Sequence, residues 1–310
     1  MNYINFVNDL VRKKVLENKG VILFGQNINA GSCLSGLTRG LQVKQSSMII
    51  NTPNSENTLC GIGFGLMMGG VDAIFFMKQL DFLILGIDHL VNTYNCIRRT
   101  EPKASFTIMP CIVDNGYQGL QSSFNNLGDI CSLARIKGFT ITNKVDAERI
   151  INAELTTPGF RIIGISIRLF KEEIIEPGLV WASPDNTIFQ YTKGNDATIA
   201  CFNLAFPYGH ELCKKMGERG LSASLFSVNL ATPTNWDQII EDVKRTGRII
   251  IIDDSKSENL PCHALLSTAL ESCKVKRQII ITKDMSNDWL SPNQDTLNIQ
   301  YESIINRIIG

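Results

Sequence analysis

The chain has 310 residues, of which 44% are apolar, so it is long enough for two domains that each bury a core. Its 30 lysines and arginines balance 30 aspartates and glutamates, and this zero net charge gives no reason to expect nucleic acid or an anionic membrane as a partner. Nine cysteines without a C-x-x-C pair indicate reduced thiols. The sequence predicts neither a signal peptide nor a membrane span. We therefore predict a cytoplasmic protein.

Short β-rich apolar runs alternate with helical periodicity through the first half of the chain. The predicted strands, all expected to be buried on both faces, are 21–24, 47–50, 73–76, 106–109, 139–142 and 161–165. The predicted helices between them are 3–17, 56–68, 82–98, 127–137 and 147–155. Strand–helix alternation of this kind predicts a mostly parallel sheet covered by helices on both faces.

The alternation stops at residues 171–195, where Pro177-Gly178 and other turn residues are concentrated. It then resumes, with predicted strands at 197–201, 224–228, 248–252 and 278–281 and predicted helices at 205–219, 235–246, 262–273 and 301–308. We therefore predict an α/β protein with two doubly wound, mostly parallel sheet domains. Their predicted bounds are 1–175 and 196–310, joined by a linker at 176–195.

The most informative motif is Asn51-Thr-Pro-Asn-Ser-Glu56, because it places one carboxylate on a turn that opens a glycine-rich helix. In a structural interpretation, Asn54 or Ser55 caps the helix and Glu56 complements the helix dipole. In a functional interpretation, Glu56 exchanges a proton with a bound heterocycle, and Phe82, beyond the next strand, is a stacking surface for that ring.

The glycine run at 61–70 does not directly follow a strand, so it is not a dinucleotide-binding fingerprint, and close helix packing explains it better. Nucleotide binding by this run nevertheless stays a third hypothesis. Asp253-Asp254 ends a predicted strand and either binds a ligand or forms a solvated edge. His89, His210 and His263 have no metal-ligand spacing, so no metal site built by this chain is expected.

Several motifs together resemble the beta subunit of thiamine-diphosphate-dependent 2-oxo acid dehydrogenases and the C-terminal half of transketolases. Glu56 ends a segment similar to the family's D-T-P-I-S-E, and the interval to Phe82 needs no gap. The segments that carry the resemblance are Val21-Ile-Leu-Phe-Gly25, Gly36-Leu-Thr-Arg-Gly40-Leu41, Asn51-Thr-Pro-Asn-Ser-Glu56, Phe76-Met-Lys-Gln-Leu-Asp-Phe82 and Ile87-Asp-His-Leu-Val-Asn92. The resemblance implies a pyrimidine-binding domain followed by a domain of the transketolase C-terminal type.

The resemblance also implies roles for individual residues. The family residue that matches Glu56 hydrogen-bonds a ring nitrogen of the aminopyrimidine and promotes the tautomer that removes the proton from the thiazolium carbon. Phe82 matches the aromatic residue that packs on the aminopyrimidine, and Leu80 matches a further wall residue. The physical logic is independent of the family, because a carboxyl group in a dry interface can exchange a proton with a weakly basic nitrogen near neutral pH.

The chain departs from the family pattern at two places. Gln26 and Asn27 follow the first strand, where the family usually has acids. The loop at 116–124 has no histidine, and Gln121, its nearest match and a candidate substrate-loop residue, cannot carry a proton at neutral pH. Gln121 in place of the histidine favours two-carbon ketol or acyl transfer, or carboligation, on a carbonyl substrate such as a 2-oxo acid or a sugar, whereas Gln26, Asn27 and Gln121 together favour a non-catalytic scaffold. Oxidative decarboxylation as a 2-oxo acid dehydrogenase subunit and a non-catalytic scaffold role remain alternatives.

In the family, a second type of domain holds the diphosphate and Mg²⁺ through a G-D-G and an N-N pair. This chain has Gly128-Asp129 but no G-D-G. The resemblance therefore implies that an alpha-type partner subunit holds the diphosphate and the metal, in an obligate hetero-oligomer of α2β2 type. Residues 61–70 and 82–91 are the expected partner-facing surfaces.

Overall fold

The computed structural model describes residues 1–116, 118–119, 122–231, 235–283 and 297–310. Within these ranges the chain forms two six-stranded sheets, each covered by helices on both faces. The predicted fold class, two doubly wound and mostly parallel α/β domains, is confirmed. Among the helices of the described ranges, none has the length and apolar composition needed to cross a membrane.

The first sheet is entirely parallel. Its strands are β1 (Val21–Gly25), β2 (Met48–Asn51), β3 (Asp72–Met77), β4 (Ser105–Ile112), β5 (Lys137–Ile141) and β6 (Gly159–Ser166). They lie in the order β2-β1-β3-β4-β6-β5. The α-helices of this part of the chain are α1 (Tyr3–Glu17), α2 (Glu56–Met68), α3 (Tyr94–Ile97), α4 (Leu127–Ala134) and α5 (Lys144–Glu154).

The second sheet is parallel except at one edge. Its strands are β7 (Trp181–Ala182), β8 (Ile188–Thr192), β9 (Ala197–Phe202), β10 (Ala223–Val228), β11 (Arg248–Asp253) and β12 (Arg277–Ile281), and its helices are α6 (Phe206–Glu218), α7 (Asp237–Thr246), α8 (Pro261–Ser272) and α9 (Tyr301–Ile309). The order is β12-β11-β9-β10-β8-β7, with β8 antiparallel to both of its neighbours. The predicted linker thus contains the hairpin β7–β8, which pairs with β10; the domain bounds themselves stay a prediction.

The expected burial of the strands is wrong for β2. This strand exposes Met48 and Ile50 by 55% and 38%, because it is the edge of the sheet and pairs only with β1. By contrast, β4 between β3 and β6 is buried at every residue.

The helix predicted at 82–98 is also not a regular helix. The chain forms a 3₁₀ segment at Leu80–Gly86, a π turn at His89–Thr93, the short helix α3 and a further 3₁₀ turn at Arg98–Thr100. The first part of this segment packs tightly on α2, since a Cβ on Gly86 would lie 2.4 Å from Sγ of Cys60. Contact with α2, rather than helix propensity, decides the local backbone here.

The two domains meet along an extensive seam. The backbone N–H of Thr140, on β5, donates to the carbonyl of Asn229 at 2.9 Å, and that of Ala231 donates to the carbonyl of Gly138 at 2.7 Å. One cluster of buried apolar side chains runs through both domains and includes Tyr3, Ile141, Phe189 and Ile199. The relative placement of the domains is therefore fixed by a shared core.

Candidate active site

The strand order of the first sheet predicts where a ligand would bind. The chain leaves β1 toward β2 on one side and leaves β3 toward β4 on the other, while β1 and β3 are neighbours. Ligands of open α/β sheets bind in the crevice beyond the carboxyl ends of two such strands. Gln26 follows β1 and Lys78 follows β3, so these residues mark that crevice.

A small pocket occupies this position. Glu56 at the start of α2 and Phe82 on the 3₁₀ segment face it from two sides, and it is lined by Gln26, Pro53, Glu56, Leu59, Phe75, Phe76, Met77, Lys78 and Phe82. The structure thus brings together two residues that the sequence singled out. The pocket has a volume of about 10 Å³, compared with roughly 300–1,000 Å³ for sites that enclose a small ligand. This chain therefore forms one wall of a site and does not enclose a molecule.

Glu56 is buried although it begins a helix. Its residue is 9% exposed, and its carboxylate makes no hydrogen bond or ion pair with the described part of the chain. Ser55 precedes the helix without capping it, because its hydroxyl donates to Oγ1 of Thr58 at 2.9 Å instead. Side-chain capping of α2 by Ser55 is therefore not found, whereas Glu56 does lie in the first turn, where it can complement the helix dipole. Its carboxylate oxygens are not among the fully buried polar atoms, so they remain accessible, and an accessible carboxylate without a hydrogen bond is suited to a ligand that offers a donor.

The glycine run holds α2, and with it Glu56, close to the sheet. A Cβ on Gly63 would lie 2.2 Å from Cζ of Phe106 on β4, and one on Gly61 would lie 3.1 Å from Nε2 of His89. Close helix packing thus explains Gly61 and Gly63, whereas a Cβ on Gly65 or Gly70 would meet nothing within 4 Å. His89 is partly buried, and its Nδ1 lies 2.9 Å from Oγ1 of Thr93.

Three consecutive residues at the start of the 3₁₀ segment have different surroundings. Phe82 is partly buried and lines the pocket. Leu80 is fully buried in the core behind it and does not line it. In the sequence, Asp81 stands out only as part of a motif. In the structure, its Oδ1 accepts hydrogen bonds from the backbone N–H groups of Ser123 and Phe124 at 2.9 and 3.2 Å. Sequence reading missed this role because the partners are more than forty residues away.

Of the residues that depart from the family pattern, the structure describes Gln26 and Asn27 but not Gln121. Gln26 lines the pocket, and Asn27 has a left-handed backbone with φ 55°. Gln121 lies outside the described residues, so its role stays a prediction. Lys78 is an exposed lining residue that sequence reasoning missed; its position directly after β3 is the signal that could have found it.

The corresponding crevice of the second sheet, beyond β9 and β11, contains a small cavity of about 20 Å³ that Asn203 and Asp253 help to line. Asp253 and Asp254 are only 1% and 2% exposed, so their interpretation as a solvated edge is wrong. Oδ1 of Asp254 accepts from the Leu204 N–H at 2.9 Å, and its Oδ2 lies 3.5 Å from Nη2 of Arg168 of the first domain. Burial raises the pKa of Asp253, whose carboxylate accepts from the Ser255 hydroxyl. Asp254 thus joins the two domains, whereas the hydrogen bonds of Asp253 to Ser255 stay within the second domain.

The remaining sequence candidates do not extend the site. Gly128 packs near the ring of Pro261 at the seam, and Asp129 accepts a hydrogen bond from the Asn126 amide at 2.8 Å. His210 is half-buried, and burial lowers its pKa. Across the described ranges no cluster of three histidine, cysteine or acidic side chains is arranged to hold a metal ion. All nine cysteines lie in those ranges and are free thiols.

No protein family model matches the chain. It is 21% identical over 256 residues to the pyruvate dehydrogenase E1 component subunit beta of Rhizobium meliloti, with 80% of this chain and 55% of that subunit covered. It is 20% identical over 283 residues to the 2-oxoisovalerate dehydrogenase subunit beta of Bacillus subtilis, with 88% and 85% covered. It is also 20% identical over 262 residues to the acetoin:2,6-dichlorophenolindophenol oxidoreductase subunit beta of Cupriavidus necator, with 80% and 78% covered.

Two solved structures have a similar fold. A split-gene transketolase, described as an inactive beta4 tetramer, superposes with a TM-score of 0.73 at 12% identity and covers 98% of this chain and 95% of its own. Transketolase from Campylobacter jejuni superposes with a TM-score of 0.68 at 10% identity, over 99% of this chain and 44% of its own. The chain thus has the fold of dehydrogenase E1 beta subunits and of the C-terminal half of transketolase.

Proposed function

We propose that this chain is the pyrimidine-binding, beta-type subunit of a heteromeric thiamine-diphosphate enzyme that makes or breaks a bond next to a carbonyl group. The proposal rests on one observation about Glu56. This buried residue lies at the switch point of the first sheet and lines the same pocket as Phe82, and its carboxylate accepts no hydrogen bond from the described residues. In the crevice where such sheets bind ligands, one acid and one aromatic ring face the same small space.

These residues fit an aminopyrimidine ring. The Glu56 carboxyl group would share a proton with a ring nitrogen, and the apolar walls Phe76 and Met77 would keep water from competing for it. Phe82 would fix the plane of the ring by packing on it. When bound, thiamine diphosphate supplies the carbanion chemistry next to the carbonyl group. The chain's own contribution is orientation and the placement of one proton.

A partner must complete this site. The pocket is too small to enclose a cofactor, and Gly128-Asp129 packs at the domain seam, away from it. Along α2 and the 3₁₀ segment, which carry Glu56 and Phe82, apolar side chains are exposed: Ile62 by 47%, Met68 by 50% and Leu85 by 59%. These features support an alpha-type subunit that holds the diphosphate and Mg²⁺, in an α2β2 complex. The free thiols support a cytoplasmic location for it.

The proposed reaction is two-carbon ketol or acyl transfer, or carboligation, with a 2-oxo acid or a sugar as the carbonyl substrate. Gln121, which lies outside the described residues, matches the position of the family's histidine in sequence and cannot carry a proton at neutral pH, and this supports a reaction other than the lipoamide-linked one. Oxidative decarboxylation is a second candidate, because two of the similar curated proteins are named as dehydrogenase beta subunits.

The test uses the full chain, alone and assembled with its purified partner, titrated with thiamine diphosphate and Mg²⁺ in a calorimeter. We expect tight binding by the complex and none by the isolated chain. Turnover should be lost on Glu56→Gln, with the complex intact, and kept in the control Glu302→Gln, which changes an exposed glutamate in the first turn of α9. Undiminished turnover of Glu56→Gln would instead support the scaffold alternative. Binding of a nucleotide by the isolated chain without Mg²⁺ would support the nucleotide-binding hypothesis.

A further inference from the structure

A buried lysine of the second domain reaches the segment that supports Phe82. Lys256 follows β11 and is 3% exposed. Its Nζ donates to the carbonyl of Ser123 at 2.7 Å, and its backbone N–H donates to the carbonyl of Asn125 at 2.9 Å. Two hydrogen bonds thus join this lysine to one short segment of the other domain, Ser122–Asn125.

The same segment is held from its other side by Asp81. Oδ1 of Asp81 accepts the backbone N–H groups of Ser123 and Phe124, and the Asp81 charge acts on the Lys256 ammonium. Phe124 and Phe82 both pack against the second core cluster of the first domain. A continuous path of contacts therefore runs from Lys256 through Ser123 to Asp81, the residue directly before Phe82.

Further contacts fix the base of this arrangement. The side-chain amide of Asn125, which is fully buried, donates to the carbonyl of Asp254 at 2.6 Å and accepts from the amide of Asn203 at 2.7 Å. The second domain does not line the pocket. It nevertheless holds the segment through two contacts, one to Asn125 and one from Lys256.

We propose that Lys256 is a positioning residue of the candidate active site, which holds Ser122–Asn125 against Asp81 and thereby fixes Phe82 at the pocket wall. A lysine suits this task because its long stem crosses the seam while its ammonium group makes a charge-assisted hydrogen bond to a backbone carbonyl. That this wall contacts a cofactor rests on the proposed function; the coupling of Lys256 to Asp81 and Phe82 does not.

The charge of Lys256 gives the arrangement a pH dependence with a defined sign. Among the described residues, the charged groups that act on it are Asp81 on the 3₁₀ segment and Lys283 just beyond β12. Burial, together with the Lys283 charge, lowers the pKa of Lys256 to about 8. When the segment opens, the lysine reaches water and regains an ordinary pKa near ~10.4. The closed state therefore binds fewer protons than the open state between these values, and rising pH stabilises it.

Hydrogen–deuterium exchange of the full chain, without cofactor or partner, tests the proposal. In Lys256→Met, the amides of Ser123 and Phe124 and those around Phe82 should lose about tenfold or more of their protection, while amides of β9 and β11 keep theirs. Lys256→Arg should restore most of the protection, and the exposed control Lys274→Met should leave it unchanged.

In the wild type, the protection factors of the Ser123 and Phe124 amides should also rise between about pH 8 and 10, whereas in Lys256→Arg they should stay flat. Unchanged protection in Lys256→Met, a loss that spreads equally to β9 and β11, or a wild-type pH profile as flat as that of Lys256→Arg would each overturn the proposal. Because the measurement needs neither cofactor nor partner, its failure is distinct from failure of the proposed function.

Discussion

Gly63 and Gly65 lie two residues apart on α2, but their surroundings differ, so alanine at each position should have opposite effects. A Cβ on Gly63 would lie 2.2 Å from Cζ of Phe106, whereas a Cβ on Gly65 would meet nothing within 4 Å. The Phe106 ring has little room to move, because the rings of Phe24, Phe64 and Phe160 surround it at centroid distances of 6.3, 5.0 and 5.2 Å.

The two variants share the helix-propensity gain of alanine over glycine, about 0.5–1 kcal/mol. Gly65→Ala should therefore raise the free energy of unfolding by about that amount. Gly63→Ala adds a methyl group to a filled core, which costs about 1–3 kcal/mol, so its net effect should be destabilising. The propensity gain is the same in both variants, so it cancels when their free energies of unfolding are compared. The remaining difference in free energy of unfolding, about 2 kcal/mol, measures the clash with Phe106 alone.

Chemical denaturation of the isolated full chain gives both free energies under the same conditions. Each variant should keep the wild-type slope, because neither changes the surface that unfolding exposes. If Gly63→Ala and Gly65→Ala were equally stable to within about 0.5 kcal/mol, α2 would not be packed on Phe106 as described, and its placement of Glu56 would lose its support.

Three further predictions concern the partner, the cofactor and pH. Gly65→Ala, although stabilising for the isolated chain, should weaken association with the alpha-type partner by about tenfold, measured by analytical ultracentrifugation, since it adds a methyl group to the proposed interface. Phe82→Ala should raise the thiamine diphosphate Kd of the complex by about tenfold in calorimetry, whereas Leu80→Ala should cost about 2–5 kcal/mol of stability, because Leu80 is fully buried in the core behind the pocket. Burial raises the pKa of Asp146 to about 6, against about 3.9 in the unfolded chain. Relative to Asp146→Asn, the wild-type free energy of unfolding should thus fall by about 2 kcal/mol from pH 4 to 6, and a parallel course of the two denaturation series would contradict this.

Local patterns in the sequence were sufficient for most of the secondary structure. The helices predicted at 3–17 and 56–68 match α1 and α2, because their apolar spacing is long and regular. The helix predicted at 147–155 begins three residues after the true start of α5. The true start is set by Asn143, whose side chain caps the helix by accepting a hydrogen bond from the Asp146 N–H. The exposure of β2 follows from its place at the sheet edge, which strand composition does not encode.

The candidate site was only partly visible in the sequence. Glu56 and Phe82 could be paired because a motif and its spacing joined them, and the pocket contains both. The roles of Asp254 and Lys256 between the domains could not be predicted from the sequence, since their partners Arg168 and Ser123 belong to the other domain. Contacts across a seam depend on how two domains dock, and no local periodicity records that.

The proton placed by Glu56 can be observed without knowing the substrate. Exchange of the thiazolium C2 proton for deuterium, followed by NMR in the assembled complex with thiamine diphosphate and Mg²⁺, reports the step that this carboxyl group should assist. We expect Glu56→Gln to slow that exchange by about 10²–10⁴-fold with the cofactor still bound, and Glu302→Gln to leave it at the wild-type rate. Exchange as fast in Glu56→Gln as in the wild type would contradict the central claim that this acid acts on the cofactor.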